Sequence, residues 1–222
     1  MKTILLTGFE AFGSTPVNTA EQVANLLGGE LIDDYTIVSV VVPNTFFKAV
    51  DCVKQAIAEY QPTIVIMMGE YGGRSMLTVE RLAQNLNDSA RYNLADNDGR
   101  ILQGELTEKN GPVAYYSSLP IRAMVKAARD QGVPADISDT PGTNVCNHLM
   151  YGILHFIHTS KLTIRAGWIH LPHLPAIAAL SENLGAPSMS EQTAAQGVRA
   201  AIGAVISYNK DTTESLDSRW QI

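Results

Sequence analysis

Two cysteines, Cys52 and Cys146, are all the thiol chemistry in 222 residues. No Cys-x-x-Cys pair and no His-Glu-x-x-His run occurs, so the sequence offers no scaffold for a metal and none is expected. One disulfide is the most such a chain can form, and free thiols in a reducing compartment fit the rest of the sequence better. Long apolar runs are missing too. No window approaches the ~20 apolar residues of a membrane-spanning helix. The opening run Lys2–Thr7 is too short for the core of a signal peptide. A cytoplasmic protein with no membrane partner is expected. Basic charge is scarce: 16 Lys and Arg stand against 22 Asp and Glu, a net charge of −6. That sign repels phosphate backbones, and no basic cluster interleaved with aromatics occurs, which argues against nucleic acid.

What the chain does have is apolar material, 45% of its residues, enough for one well-buried core. A single domain over 1–222 is the default. Lys2–Thr7, Thr36–Val42, Thr63–Met68 and Thr163–His170 are β-branched and apolar, the continuous pattern of strands covered on both faces. Helical stretches alternate with them. Asn18-Thr19-Ala20-Glu21 reads as a capping box that opens a helix through Leu27, closed by Gly28-Gly29. Asn44 is placed as the cap of a second helix ending at Tyr60, before Pro62. Further helices are expected near Leu119–Asp130, Val145–Thr159 and Gln192–Ser207. This alternation predicts an α/β sandwich around a largely parallel sheet. Residues 85–118 are polar and aperiodic, the mark of a lid, a binding loop or an oligomer arm. The tail 209–222 is polar until Trp220.

Cys146 lies in Pro141-Gly142-Thr143-Asn144-Val145-Cys146-Asn147-His148, between the short strand-like Ala135–Ser138 and apolar residues at helical spacing. It therefore falls in the first turn of a helix. Unpaired N–H groups and the positive end of the dipole there stabilise a thiolate, and can also hold an oxyanion. The plainer alternative is a small core residue. Cys52, mid-helix among Val50, Val53 and Ile57, reads as core. A thiol nucleophile needs a histidine, and His170 and His173, at the end of a strand and in the turn beyond it, both qualify. Glu80 sits in an otherwise apolar run, Met76–Leu82, where a carboxylate needs a partner. That partner is an imidazole to orient, or else Arg81 or Arg74 in an ion pair.

Gly8-Phe9-Glu10-Ala11-Phe12-Gly13, Gly72-Gly73-Arg74, Val79-Glu80-Arg81, Asn85-Leu86-Asn87-Asp88, Gly111–Pro120, Gly142–His148 and Ile169-His170-Leu171-Pro172 resemble, in order, blocks of the pyrrolidone-carboxylate peptidases (pyroglutamyl peptidase I). The blocks span nearly the whole chain. The resemblance implies an α/β/α sandwich, no cofactor and commonly a homotetramer. It implies a cysteine peptidase acting on N-terminally pyroglutamylated peptides, with Cys146 as nucleophile, His170 as base and Glu80 orienting the ring. Arg91 matches an arginine near the oxyanion site, although Asp88-Ser89-Ala90-Arg91 is one residue longer than the family stretch. Phe9 and Phe12 match residues flanking the lactam ring. Glu70, Asn144 and Val145 fall at the pocket, where Glu70 and Asn144 depart from the usual uncharged and aromatic residues, and Ala11 replaces a customary proline. Flat aromatic faces suit a neutral lactam, and such a pocket leaves an ordinary N-terminal ammonium unpaired. Glu70 is expected to turn from the ring and pair with Arg74. Two rivals remain: a nucleoside-phosphorylase-like enzyme, for which residues 72–75 would form the phosphate site, and a non-catalytic small-ligand binding protein.

Overall fold

The computed structural model describes residues 2–218. In chain order the elements are β1 (Lys2–Phe9), α1 (Thr19–Leu27), β2 (Leu31–Ile32), β3 (Tyr35–Val42), α2 (Lys48–Tyr60), β4 (Ile64–Glu70), β5 (Leu77–Glu80), β6 (Leu82–Gln84), β7 (Ala114–Tyr116), α3 (Ile121–Asp130), β8 (Ala135–Ser138), α4 (Val145–Thr159), β9 (Arg165–Leu171), α5 (Pro175–Ala178) and α6 (Glu191–Ser207). Seven strands form one sheet in the order β2-β3-β1-β4-β9-β5-β8. From β3 to β9 the pairing is parallel; β5 runs antiparallel to β9, and β8 parallel to β5. The sheet is thus mixed and mostly parallel, as the alternating pattern predicts.

Strand side chains alternate between two cores. Ile4, Leu6, Ile64, Ile66, Met68, Ile169 and Leu171 face one way, against α1, α3 and α6. Leu5, Phe9, Val65, Met67, Ala166 and Trp168 face the other, against α2 and α4. This two-residue period decides where the site lies. Two positions after Trp168, His170 falls on the α4 face.

Helix α1 begins as expected, with Asn18 Oδ1 accepting the Ala20 N–H at 2.9 Å. Helix α2 does not begin at Asn44. It starts at Lys48, behind Phe47 with a positive φ of 65° and without a side-chain cap, and the N–H groups of the two residues just ahead of it are satisfied from far along the chain. Asp96 Oδ2 accepts from Phe46 at 2.8 Å and His148 Nε2 from Phe47 at 3.3 Å. Asn44 is instead tied to Glu10 and Asn97. The apolar run Met76–Leu82 breaks at Arg81, and β6 leaves the main sheet to pair with β7. Residues 85–118 therefore carry a strand that their composition does not announce. The tail beyond α6 is docked: Asp211 accepts the N–H groups of Arg122 and Ala123 at the start of α3, and Leu216 packs on the first core. Trp220 lies outside the described residues.

Candidate active site

The parallel strands β4 and β9 end side by side, with Gly69 opposite His170. Helix α4 starts above them, so Cys146 in its first turn comes down on the same spot. Gly69 makes that approach possible. A Cβ there would stand 2.7 Å from Trp168 Cζ2, 3.1 Å from Cys146 Sγ and 3.4 Å from His170 Cδ2. The thiol and the imidazole thus close on one bare patch of backbone.

Glu80 arrives from β5. Its register puts Thr78 beside His170, and Glu80 projects from the same face two residues on. The His170 Nδ1–H donates to Glu80 Oε1 at 2.7 Å, which leaves Nε2, buried, without a hydrogen-bond partner among the described residues. Arg74 Nη1 donates to the same Oε1 at 2.7 Å, and Arg74 also reaches Thr78 and, at 3.3 Å, Ser138. Both readings of Glu80 in the sequence hold at once, since it pairs with Arg74 and with His170. Arg81 points away to Asp139 at the surface. The Tyr71 ring bridges the assembly, 4.0 Å below the Arg74 guanidinium and 5.3 Å edge-on from His170.

The electrostatics correct one expectation. Burial, then the nearby Glu80 charge, pushes the Cys146 thiol up to about 12, outweighing the backbone N–H and Arg74 that pull it down. Burial likewise lowers His170, against the raising effect of Glu80. Burial thus favours the neutral thiol and the neutral imidazole, against the thiolate expected from the helix start. Desolvation of a buried charge outweighs a half-charge at a helix end.

A cavity of about 260 Å³ opens on this pair. Phe9, Phe12, Glu70, Asn144 and Val145 line it together with Cys146 and His170. Phe9 is fixed by Trp168, ring centroids 5.6 Å apart. Arg91 is not brought there. It is exposed and lies 4.9 Å over the Tyr92 ring, while Tyr92 itself lines the cavity. Glu70 turns its carboxylate away, fully buried, but not toward Arg74. Its Oε2 accepts from Thr19 N at 3.1 Å and Thr19 Oγ1 at 2.7 Å, and its Oε1 meets His173 Nδ1 at 2.8 Å. Arg74 is committed to Glu80. His173, the alternative base, is therefore occupied by Glu70. Among the described residues no three His, Cys, Asp or Glu side chains are grouped as a metal site requires.

Residues 2–208 match the sequence model of the family described as pyroglutamyl peptidase. The chain belongs to the pyroglutamyl peptidase family. It is 57% identical over 222 residues, the whole of both chains, to a pyrrolidone-carboxylate peptidase of Mycobacterium tuberculosis. A Bacillus cereus pyrrolidone-carboxylate peptidase is 41% identical, covering 96% of this chain and 97% of that one. The crystal structure of Bacillus amyloliquefaciens pyroglutamyl peptidase I superposes with a TM-score of 0.91 at 36% identity, over 96% of this chain and 100% of that one. Thermococcus litoralis pyrrolidone carboxyl peptidase gives 0.90 at 33%, over 97% and 100%. The sequence did not point to Phe46, Tyr71, Tyr92 and Leu94, which also line the cavity. Tyr71 alone carried a signal, as an aromatic residue inside a Gly-rich turn.

Proposed function

We propose that this chain is a single-domain cysteine peptidase that hydrolyses the bond after an N-terminal pyroglutamyl residue, with Cys146 as nucleophile, His170 as base and Glu80 as its orienting carboxylate. The observation that carries the assignment is the buried Nε2 of His170, without a partner among the described residues and set with Cys146 Sγ against Gly69 while Nδ1 is held by Glu80. A neutral resting pair sets the order of events. His170 Nε2 takes the thiol proton as Sγ attacks the pyroglutamyl carbonyl, and Glu80 stabilises the imidazolium that results. The first-turn N–H groups of α4, without intrahelical acceptors, receive the oxyanion, and Arg91 takes no part in that conformation. The imidazolium returns its proton to the departing amine. Water, deprotonated by His170, then cleaves the thioester to give free pyroglutamate.

Neither rival is favoured. A phosphate site at residues 72–75 would need Arg74, which Glu80 already holds. The cavity with a nucleophile–base pair at its floor exceeds what ligand binding alone requires. Hydrolysis of pyroglutamyl p-nitroanilide beside the prolyl and glutaminyl anilides is the test. Equal turnover of all three, or of none, ends the proposal.

The same reading places the enzyme in the cytoplasm, where the unpaired Cys52 and Cys146 stay reduced. Among the described residues no helix is long and apolar enough to cross a membrane. A homotetramer is also proposed, supported by exposed Val113, Tyr116 and Leu106 along the 85–118 arm and its end. Light scattering on the eluting peak checks the assembly.

A further inference from the structure

Asn144 directly precedes α4 in an extended conformation (φ −102°, ψ −162°), the position from which a carboxamide ordinarily turns back to accept a first-turn N–H. Asn18 does so at α1. Asn144 does not. Its side chain makes no capping bond, and its Oδ1 is buried with no partner among the described residues. The residue nonetheless lines the cavity that holds Cys146 and His170. A bare buried carbonyl oxygen costs free energy that only a donor brought from outside can recover.

We propose that the Asn144 carboxamide reads the lactam edge of the bound pyroglutamyl ring, which makes it a specificity-determining residue of this site. The inference rests on the pyroglutamyl reading given above. A five-membered lactam is a locked cis amide, with N–H and C=O side by side on one edge. A primary carboxamide presents the complementary pair, whichever way round it sits. Set head to tail, the two exchange two hydrogen bonds, one in each direction, with Phe9 and Phe12 available to cover the ring faces. A prolyl ring offers a charged nitrogen and no carbonyl on that edge, so it satisfies at most half of the pairing. An open glutaminyl residue lacks the fixed cis geometry.

Two probes isolate the edge: 2-pyrrolidone, which carries both groups, and cyclopentanone, which has the shape and carbonyl but no N–H. Binding of each to the intact protein is followed by ligand-observed NMR. The wild-type protein should prefer 2-pyrrolidone by about tenfold or more, the factor that about 1.4 kcal/mol produces. Asn144→Leu should shrink that preference below about threefold. Asn144→Asp, whose carboxylate still accepts the lactam N–H but repels the carbonyl that both probes carry, should weaken both while keeping the preference. An undiminished preference in folded Asn144→Leu overturns the proposal, as does a lost preference in folded Asn144→Asp or wild-type protein that shows no preference or binds neither probe. Turnover of pyroglutamyl p-nitroanilide by the wild type is measured alongside. Its absence defeats the peptidase reading by itself, whereas turnover with an unchanged probe preference in Asn144→Leu defeats only the role of Asn144.

Discussion

At the scale of single residues, the proposed chemistry hangs on which neighbours each charged group has already chosen. Cys146→Ser should abolish turnover with the fold intact, and Cys52→Ser should leave turnover nearly unchanged, because Cys52 sits among apolar residues of α2. His170→Ala should lose at least about a thousandfold in acylation rate. His173→Ala should act on substrate binding instead, since its Nδ1 supports Glu70 at the cavity edge. Single-turnover kinetics separate the two, and comparable losses in acylation would count against His170 as sole base. Arg74 gives a pH signature. Its charge lowers the pKa of His170, which must be neutral to accept the thiol proton. Activity is therefore lost as pH falls through a His170 value below the usual 6.5. Arg74→Ala should move that acid limb of kcat/KM upward and lower kcat, and Arg74→Lys should restore part of both. An unmoved limb would assign Arg74 to structure alone. The residue types of this site and the partners of Glu80 were legible in the sequence, but those of Glu70 were not. Arg74 chose Glu80 over Glu70 because the β5 register sets it there, and no local spacing records that choice.

Among elements, α4 and its support decide how firmly the nucleophile is aimed. Asn147 accepts the Gln84 N–H at 2.9 Å and donates to the Gln84 and Leu86 carbonyls, fastening α4 to β6. On the same helix, His148 takes the Phe47 N–H, and burial pushes its pKa down to about 4 from 6.5. An imidazole harder to protonate when folded than when unfolded opposes folding once pH drops below 6.5, and the loss is complete near 4. The full difference is roughly 3 kcal/mol. Urea midpoints at pH 7.5 and pH 4.5 should show it, and His148→Gln should flatten the dependence. Asp96, buried in its own loop, holds the Phe46 N–H just ahead of α2 as well as the Asp98 and Arg100 N–H groups, so Asp96→Ala should cost about 2 kcal/mol in stability and raise KM as the cavity wall loosens. Strands β1, β3, β4, β8 and β9 and helices α1, α4 and α6 could be read from apolar runs and local caps. The start of α2 could not, since the acceptors that fix the turn ahead of it lie 50 and 101 residues away in sequence. Nor could β7, three residues whose partner is equally short.

For the whole molecule, the two-sided sheet separates scaffold from site. The core under α1, α3 and α6 holds no member of the proposed triad, and the C-terminal tail is strapped across it through Asp211, Asp217 and Ser218. Asp211→Ala should therefore lower the melting temperature, by the equivalent of about 1 kcal/mol, without changing kcat. Thermal melts beside initial rates check it, and a fall in kcat would mean that the two faces are coupled.

The neutral thiol has a consequence for survival under oxidative stress. Peroxide and small alkylating agents consume thiolates, so a Cys146 held as S–H offers them little at neutral pH while the cavity is vacant. An electrophile shaped like the substrate is different, because it reacts in the complex, where His170 removes the proton as the bond forms. This enzyme should resist iodoacetamide and hydrogen peroxide yet fall quickly to a pyroglutamyl aldehyde, a selectivity that reagent reactivity alone would not produce.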